Sequence, residues 1–391
     1  MRKRYLSAGA AAVVLLVLSC TERQQSPVLP TEPTLARGGA KLKSITVSPS
    51  AATVTVGQSA QLTATASPPS APATIVWSSS NAAVATVSAS GLVTGVAAGS
   101  ATISATSGSV SGSSAITVTT TPPPGGVVFV GAGDIASCSS SGDEATANLL
   151  DNIAGTVYTL GDNVYDNGTA TEYANCYNPT WGRHKARTMP TPGNHEYNTL
   201  NATGYYGYFG AAAGDPSKGY YSYDLGDWHV IVLNSNSSCT TILCSAGSAQ
   251  EQWLRADLAA SGKACTLAYW HHPRFNSGAS HGNNTAVGPF WDALYEFNAD
   301  VILNGHEHVY ERFAPQTPAA VGDPARGIRQ FTVGTGGRSH YTFGTIQANS
   351  EVRDGNTYGV LKLTLSANSY AWEFVPVAGA TFTDSGSGTC H

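Results

Sequence analysis

Four short apolar runs in the last two-thirds of this sequence each give way abruptly to residues that can hold a cation. Val127-Val128-Phe129-Val130 leads into Gly131-Ala132-Gly133-Asp134, and Val157-Tyr158-Thr159-Leu160 into Gly161-Asp162-Asn163-Val164-Tyr165. Thr266-Leu267-Ala268-Tyr269-Trp270 leads into His271-His272-Pro273, and Asp300-Val301-Ile302-Leu303 into Asn304-Gly305-His306-Glu307-His308. A fifth loop carries Pro192-Gly193-Asn194-His195-Glu196. Apolar runs this short read as buried strands. Helical patterns fall among them at Glu144 to Ile153, Ala249 to Ala260 and Val287 to Phe297, with a further strand at His229 to Leu233. The stretch from Arg329 through Val360-Leu361-Lys362-Leu363 to Phe374 reads as strand throughout. Such alternation restricts residues 127–391 to a layered α/β (α+β) architecture, a sandwich flanked by helices, in which ligands gather at strand carboxyl ends.

The residue types in these loops suit divalent or trivalent cations. Asp134, Asp162, Tyr165, Asn194, His271, His306 and His308 supply two carboxylates, a phenol, an amide oxygen and three imidazoles, a mixed N/O donor set. One carboxylate can bridge two ions about 3.5–4 Å apart, and the adjoining glycines let the backbone turn sharply there. Each motif alone has a plainer reading: a Gly-Asp turn, an ordinary Asn-His turn, a core His271, or surface histidines at 306 and 308. Their joint occurrence on one scaffold is what points to a metal centre.

Only 12% of the 391 residues are charged and the net charge is -5, with the two signs interspersed. No basic stripe exists to neutralise a nucleic-acid backbone, which excludes that class of partner. Arg2, Lys3 and Arg4 precede the apolar stretch Ala8 to Leu18, which is too short to span a bilayer. This predicts a signal peptide over 1–19. Val17-Leu18-Ser19-Cys20 resembles a bacterial lipobox, which implies a lipid on Cys20, a membrane attachment and an exported, cell-envelope location, by resemblance the outer membrane. Six cysteines remain after Cys20: Cys138, Cys176, Cys239, Cys244, Cys265 and Cys390. An even number in an exported chain predicts disulfides of open connectivity, with Cys239 and Cys244 near enough to close a small loop.

Residues 20–40 are rich in Pro, Thr, Gln and Ser and read as a flexible tether, and 121–126 (Thr-Pro-Pro-Pro-Gly-Gly) as a linker. Between them, 41–120 consist of short alternating segments broken by turns, the pattern of a small all-β sandwich, with Trp77 as the expected core anchor. The runs Val84-Ala85-Thr86-Val87, Gly91-Leu92-Val93-Thr94-Gly95 and Ala98 to Ile103 resemble the bacterial Ig-like group 2 domain. No ionisable cluster falls in this segment, so it is expected to serve as a spacer; glycan or surface adhesion is the competing role.

The series Gly-Asp, Gly-Asp-x-x-Tyr, Gly-Asn-His-Glu, His-x-Pro, Gly-His-x-His resembles the calcineurin-like metallophosphoesterases, and within them the purple acid phosphatases. The wider superfamily has a His two residues past the first Asp; this chain has Ala136 there, and Tyr165 three residues past Asp162, as in the phosphatase branch. The resemblance implies that Asp134, Tyr165 and His308 bind one metal, that Asn194, His271 and His306 bind the other, and that Asp162 bridges them. It further implies that His195 and His281 act as catalytic residues touching no metal. A phenolate ligand favours Fe(III) at the first site, with Fe(II), Zn(II) or Mn(II) at the second. The expected activity is hydrolysis of small phosphate monoesters, with a phosphodiesterase or nucleotidase on the same centre as the alternative, and a surface-adhesion protein with a decayed enzyme fold as a reading of a different class. Tyr205, Tyr206, Tyr208 and Phe209 are candidates either for stacking on a leaving group or for packing their own loop.

Overall fold

The computed structural model describes residues 41–55, 59–69, 71, 73–97, 99–119, 126–236 and 238–391. The signal-peptide, Cys20 and tether expectations lie outside the described residues, as does most of the 121–126 linker. No helix among the described residues is long and apolar enough to cross a membrane.

In the N-terminal part, Ala51–Thr55, Val110–Thr119, Gly99–Ser107 and Val76–Ser79 form one sheet. Ser59–Gln61, Leu92–Gly95 and Ala85–Val87 form a second, and Ser44–Ser48 pairs with Thr63–Ser67. Alternate residues of these strands meet between the sheets, where Ala85, Val93, Ile103 and Ala105 are fully buried. Trp77 is not the centre of this core. It is half-buried at its margin, over Gly91, where an added Cβ would come within 2.8 Å of the indole. Small and β-branched residues fill the interior and leave no room for an indole.

The C-terminal part is built on two larger sheets. The first runs Thr188–Met189, Thr156–Thr159, Val127–Ala132, Gly359–Ser366, Ser369–Pro376, Ser385–Thr389. The second runs Tyr221–Leu225, Trp228–Val232, Cys265–Tyr269, Val301–Asn304, Arg329–Val333, Tyr310–Phe313, Ser350–Asp354, and its four middle neighbours from Trp228 to Val333 are parallel. The period-two geometry of a strand explains how the sheets stack. Val230, Val232, Leu267, Tyr269, Val301 and Leu303 join the apolar layer containing Phe129, Leu361 and Leu363 of the first sheet. Their neighbours Ile231, Ala268 and Ile302 join the opposite layer, beneath the helices Ala249–Ala260 and Gly288–Glu296 through Leu254, Leu258, Phe290 and Leu294. Both faces are covered, so these strands read as continuous apolar runs rather than alternating ones.

The helices begin where the backbone can be capped. Ser248 accepts a hydrogen bond from the Glu251 N–H, satisfying a first-turn donor of Ala249–Ala260. The expected helix at Glu144 starts two residues earlier, as Gly142–Asp151. The C-terminal stretch is not strand throughout: residues 334–349 form a glycine-rich irregular connection that returns to the strand ends.

Three disulfides are present: Cys138–Cys176, Cys239–Cys244 and Cys265–Cys390. The last joins the first residue of a second-sheet strand to the residue following Ser385–Thr389 of the first sheet. That same edge strand meets the N-terminal sandwich, where Ser385 Oγ donates to the Ser59 carbonyl and Ser387 Oγ to the Thr53 carbonyl at 3.3 Å.

Cross-linking restricts the unfolded chain more when the loop is longer. Cys265–Cys390 closes a span of 125 residues and Cys239–Cys244 one of 5. Replacing both members of the first pair by Ser is expected to cost about 4–5 kcal/mol, against about 2 kcal/mol for the second. Denaturant unfolding of the two double variants measures the difference; equal losses would contradict the loop-length account.

Candidate metal centre

All five strand-exit loops converge on one point at the carboxyl ends of the strands. Three of the candidate ligands leave their strands in the left-handed backbone region: Asp134 at φ 60°, Asp162 at φ 48° and His306 at φ 71°. Non-glycine residues rarely adopt it, and each costs about 1–3 kcal/mol. The turns are tight because the loops lie on one another. A Cβ on Gly193 would stand 2.2 Å from Asp162 Oδ1, and one on Gly161 would stand 2.6 Å from His271 Nδ1.

The seven side chains form two groups. In the first, Tyr165 Oη lies 2.9 Å from Asp134 Oδ1 and 3.1 Å from His308 Nε2, which is itself 3.3 Å from Asp134 Oδ1. In the second, His271 Nε2 lies 3.1 Å from Asn194 Oδ1 and 3.2 Å from His306 Nδ1. One oxygen, Asp162 Oδ2, touches both groups, at 3.1 Å from Tyr165 Oη and 3.2 Å from His271 Nε2. The metal-ligand split implied by the resemblance corresponds to these two groups, with Asp162 between them.

In His271 and His308 the other ring nitrogen is already engaged, which fixes how the imidazole faces. His271 Nδ1 donates to the Leu160 carbonyl at 2.7 Å, and His308 Nδ1 meets Ser339 Oγ at 2.7 Å. Both therefore turn Nε2 inward, the arrangement found around metal-ligating histidines. Burial alone would lower the His271 pKa, but the Asp162 carboxylate beside it raises it to about 9. The Asp162 carboxyl is correspondingly held far below its ordinary range: burial opposes this, and the His271 charge and hydrogen bond overcome it. Burial, reinforced by Asp134 and Asp162, pushes the Tyr165 phenol well above 10. Burial also pushes the His306 pKa well down, assisted by its imidazole neighbours. The backbone N–H groups of His306 and His195 also donate to Asp134 Oδ2 at 2.8 Å and Asp162 Oδ1 at 2.9 Å. Two cations suit the two groups, and the donor set fits them chemically.

The two histidines expected to touch no metal flank this cluster. His195 donates from Nδ1 to the Asp166 carbonyl at 2.6 Å, which leaves Nε2 3.9 Å from Asp162 Oδ2. His281 lies over the His306 ring, with centroids 4.0 Å apart, and its Nδ1 is 3.0 Å from Glu307 Oε2. His272, in the middle of His-x-Pro, is buried against Ser235 Oγ at 2.8 Å. The aromatic candidates do not face a leaving group. Tyr205, Tyr206 and Phe209 are buried, and Tyr208 stacks on Tyr173 at 4.9 Å.

Sequence reasoning missed three contributors. Glu196, fully buried, accepts from the N–H groups of Gly193, Asp162 and Asn163 at 2.7–3.0 Å and from Tyr173 Oη at 3.1 Å, so one carboxylate binds two ligand loops together. Glu307, also fully buried, sits between the ligands His306 and His308. The irregular segment 338–341 closes one side: Tyr341 stacks on His308 at 4.0 Å, and Arg338 reaches over the Tyr165 ring to Asp166. Both acids stand inside quoted motifs, where their adjacency to ligands was a usable signal; nothing in the local sequence of 338–341 marks it.

A family model described as calcineurin-like phosphoesterase matches residues 127–310, and one described as bacterial Ig-like domain (group 2) matches residues 41–118. Purple acid phosphatase 15 of Arabidopsis thaliana is 27% identical over 225 residues, covering 48% of this chain and 41% of that protein. Purple acid phosphatase 22 of the same plant is 31% identical over 189 residues, covering 42% of each. The chain therefore spans less than half the length of these relatives. Among solved structures, purple acid phosphatase PPD1 from yellow lupin (Lupinus luteus) seeds superimposes with a TM-score of 0.55 at 16% identity, over 84% of this chain and 67% of that one. GAP50, described as the anchor in the inner membrane complex of Plasmodium, gives 0.51 at 13% identity over 68% of this chain and 89% of that one. These two superpositions establish the fold alone. Residues 41–118 thus match the bacterial Ig-like domains of group 2 and residues 127–310 the calcineurin-like phosphoesterases, and the sequence relatives of this second part are purple acid phosphatases.

Proposed function

We propose that the C-terminal domain hydrolyses phosphate monoesters with two metal ions held by Asp134, Tyr165 and His308 on one side, Asn194, His271 and His306 on the other, and Asp162 between them. The observation that carries this reading is the single oxygen Asp162 Oδ2 within 3.1 Å and 3.2 Å of the two groups. Bound there, the ions would neutralise phosphate charge and acidify the attacking water. The buried phenol of Tyr165 gives up its proton most readily to a hard trivalent ion, so Fe(III) suits its side, with Fe(II), Zn(II) or Mn(II) on the other.

The chain's own residues account for the rest. Asp162 Oδ1 accepts from the His195 N–H at 2.9 Å, so the loop bearing His195 is fixed to the bridging carboxylate. His195 then presents Nε2 to a phosphate oxygen, and His281 presents its ring from the opposite loop, where either stabilises charge developing on the ester. No nucleophilic Ser or Cys is required. Three disulfides suit an oxidising, exported location, with Cys20 as the proposed lipid attachment and the Ig-like domain as a spacer.

Asp162→Ala is expected to lose both metals, and turnover by roughly a thousandfold, since ion stabilisation is worth several kcal/mol. Metal analysis alongside hydrolysis of p-nitrophenyl phosphate and bis-p-nitrophenyl phosphate checks this. Retained turnover defeats the site, and faster diester cleavage replaces the monoester assignment. Tyr165→Phe is expected to abolish any visible charge-transfer absorption of the purified protein; an unaltered spectrum rules out the Tyr165–iron assignment. Glu196→Gln turns an amide N–H₂ toward backbone donors and is expected to cost about 3 kcal/mol of stability and to weaken metal retention. Thermal unfolding and metal content measure both, and wild-type values would show that Glu196 does not hold the loops.

A further inference from the structure

We propose that Glu307 is a positioning residue that fixes which nitrogen of His281 faces the substrate. The inference rests on the phosphoester-hydrolase reading. Glu307 stands between two candidate ligands, yet its side chain runs under the loop that carries His281. Its carboxylate is fully buried and accepts from Asn276 Nδ2 at 2.9 Å, the Ser280 N–H at 3.0 Å, the His281 N–H at 3.2 Å and the His281 ring Nδ1 at 3.0 Å. The contact leaves no room for a side chain at Gly278, where a Cβ would come 2.1 Å from Glu307 Cδ.

A carboxylate only accepts, so the ring proton it meets is on Nδ1. Nε2 is then the nitrogen left for the substrate. The His281 side chain is 37% exposed and its ring lies over that of His306, so Nε2 is offered at the mouth of the centre. The loop does not need the ring contact to hold its path. Ala279 N–H donates to Thr342 O, Gly344 N–H to Ser277 O, and Ser277 N–H to the buried Glu311. The Glu307–Nδ1 bond is the one that orients the imidazole itself.

In the reaction, the bond between phosphorus and the ester oxygen breaks with its electron pair going to that oxygen, which takes the proton from His281 Nε2. Water supplies the new P–O bond, and the proton it releases restores the imidazolium. A poor leaving group needs this proton; an activated one leaves as a stable anion.

The test compares kcat for methyl phosphate with kcat for 2,4-dinitrophenyl phosphate in metal-loaded wild type, Glu307→Gln, His281→Ala and the double variant, with metal content measured in each. The alkyl-to-activated ratio is expected to fall about tenfold or more in Glu307→Gln and in His281→Ala, and the double variant to fall no further than His281→Ala. Equal loss on both esters with metals retained, or independent losses that multiply in the double variant, would overturn the proposal. Nitrogen-15 NMR of the wild-type histidine rings reads the tautomer directly and keeps the proposal testable if Glu307→Gln fails to fold. A neutral His281 carrying its proton on Nδ1 supports it, and one carrying it on Nε2 overturns it. Wild type inactive on both esters removes the hydrolase reading and the leaving-group role with it, whereas the tautomer still judges the Glu307–His281 pairing separately.

Discussion

Every part of the candidate centre depends on keeping the buried Asp162 carboxyl ionised. A buried carboxylate is costly unless compensated, and this one is compensated from several directions. His271 pairs with one oxygen, the His195 N–H binds the other, and Tyr165 donates to the first. Its own backbone N–H is tied to Glu196. These partners come from different loops, so the demand for compensation at one carboxylate brings the loops together. Asp162 takes this place with its backbone in the left-handed region, at φ 48°.

The acids behind the ligands do for the loops what Asp162 does for the ligands. Glu196 collects N–H groups from the Gly-Asp and Gly-Asn turns, and Glu307 collects them from the loop of His281. Turns this tight cannot pair their backbone donors with each other, and a buried unpaired N–H costs about 1–3 kcal/mol. A carboxylate that accepts several at once satisfies them and fixes their geometry in one step. Burial pushes the Glu196 pKa up, as does the Asp162 charge, against the Gly193 N–H and other donors. Burial opposes ionisation of Glu307 as well, yet there the His281 and Asn276 hydrogen bonds prevail and hold its pKa down.

The sandwich of 127–391 was legible because its strands are buried on both faces, so apolar runs marked Val127–Ala132, Cys265–Tyr269 and Val301–Asn304 to within a residue or two. The residues of the centre were legible because chemistry restricts their types: few structural reasons place Asp and His after buried strands four times and Asn and His together in a fifth loop. What could not be read was anything decided by contacts between distant segments. Residues 334–349 contain enough β-branched and aromatic residues to resemble strand, yet they follow the ligand loops, and Tyr341 is held by stacking on His308 rather than by a sheet ladder. Trp77 has the composition of a core residue, but a domain built from Ala, Val and Ile places it at the margin. The packing of Tyr205 and Phe209 was likewise settled by neighbours far away in sequence.

The N-terminal sandwich bears on the catalytic domain at a place with its own structural need. Ser385–Thr389 is the outermost strand of its sheet, and such an edge offers unpaired backbone groups to any passing strand. Gly386 and Gly388 lie so close against Trp372 and Tyr370 that no side chain there can shield it, since a Cβ would stand 2.4 and 2.5 Å from those rings. The serines that alternate with these glycines, Ser385 and Ser387, instead meet Ser59 and Thr53 of the Ig-like domain. Asp384, immediately before this strand, accepts from Tyr310, Arg312 and Trp372, and Tyr310 follows His308 by two residues. An edge that is glycine-rich, stapled through Cys390 and anchored at Asp384 therefore has the neighbouring domain as its cover, which gives that domain a structural part in the fold.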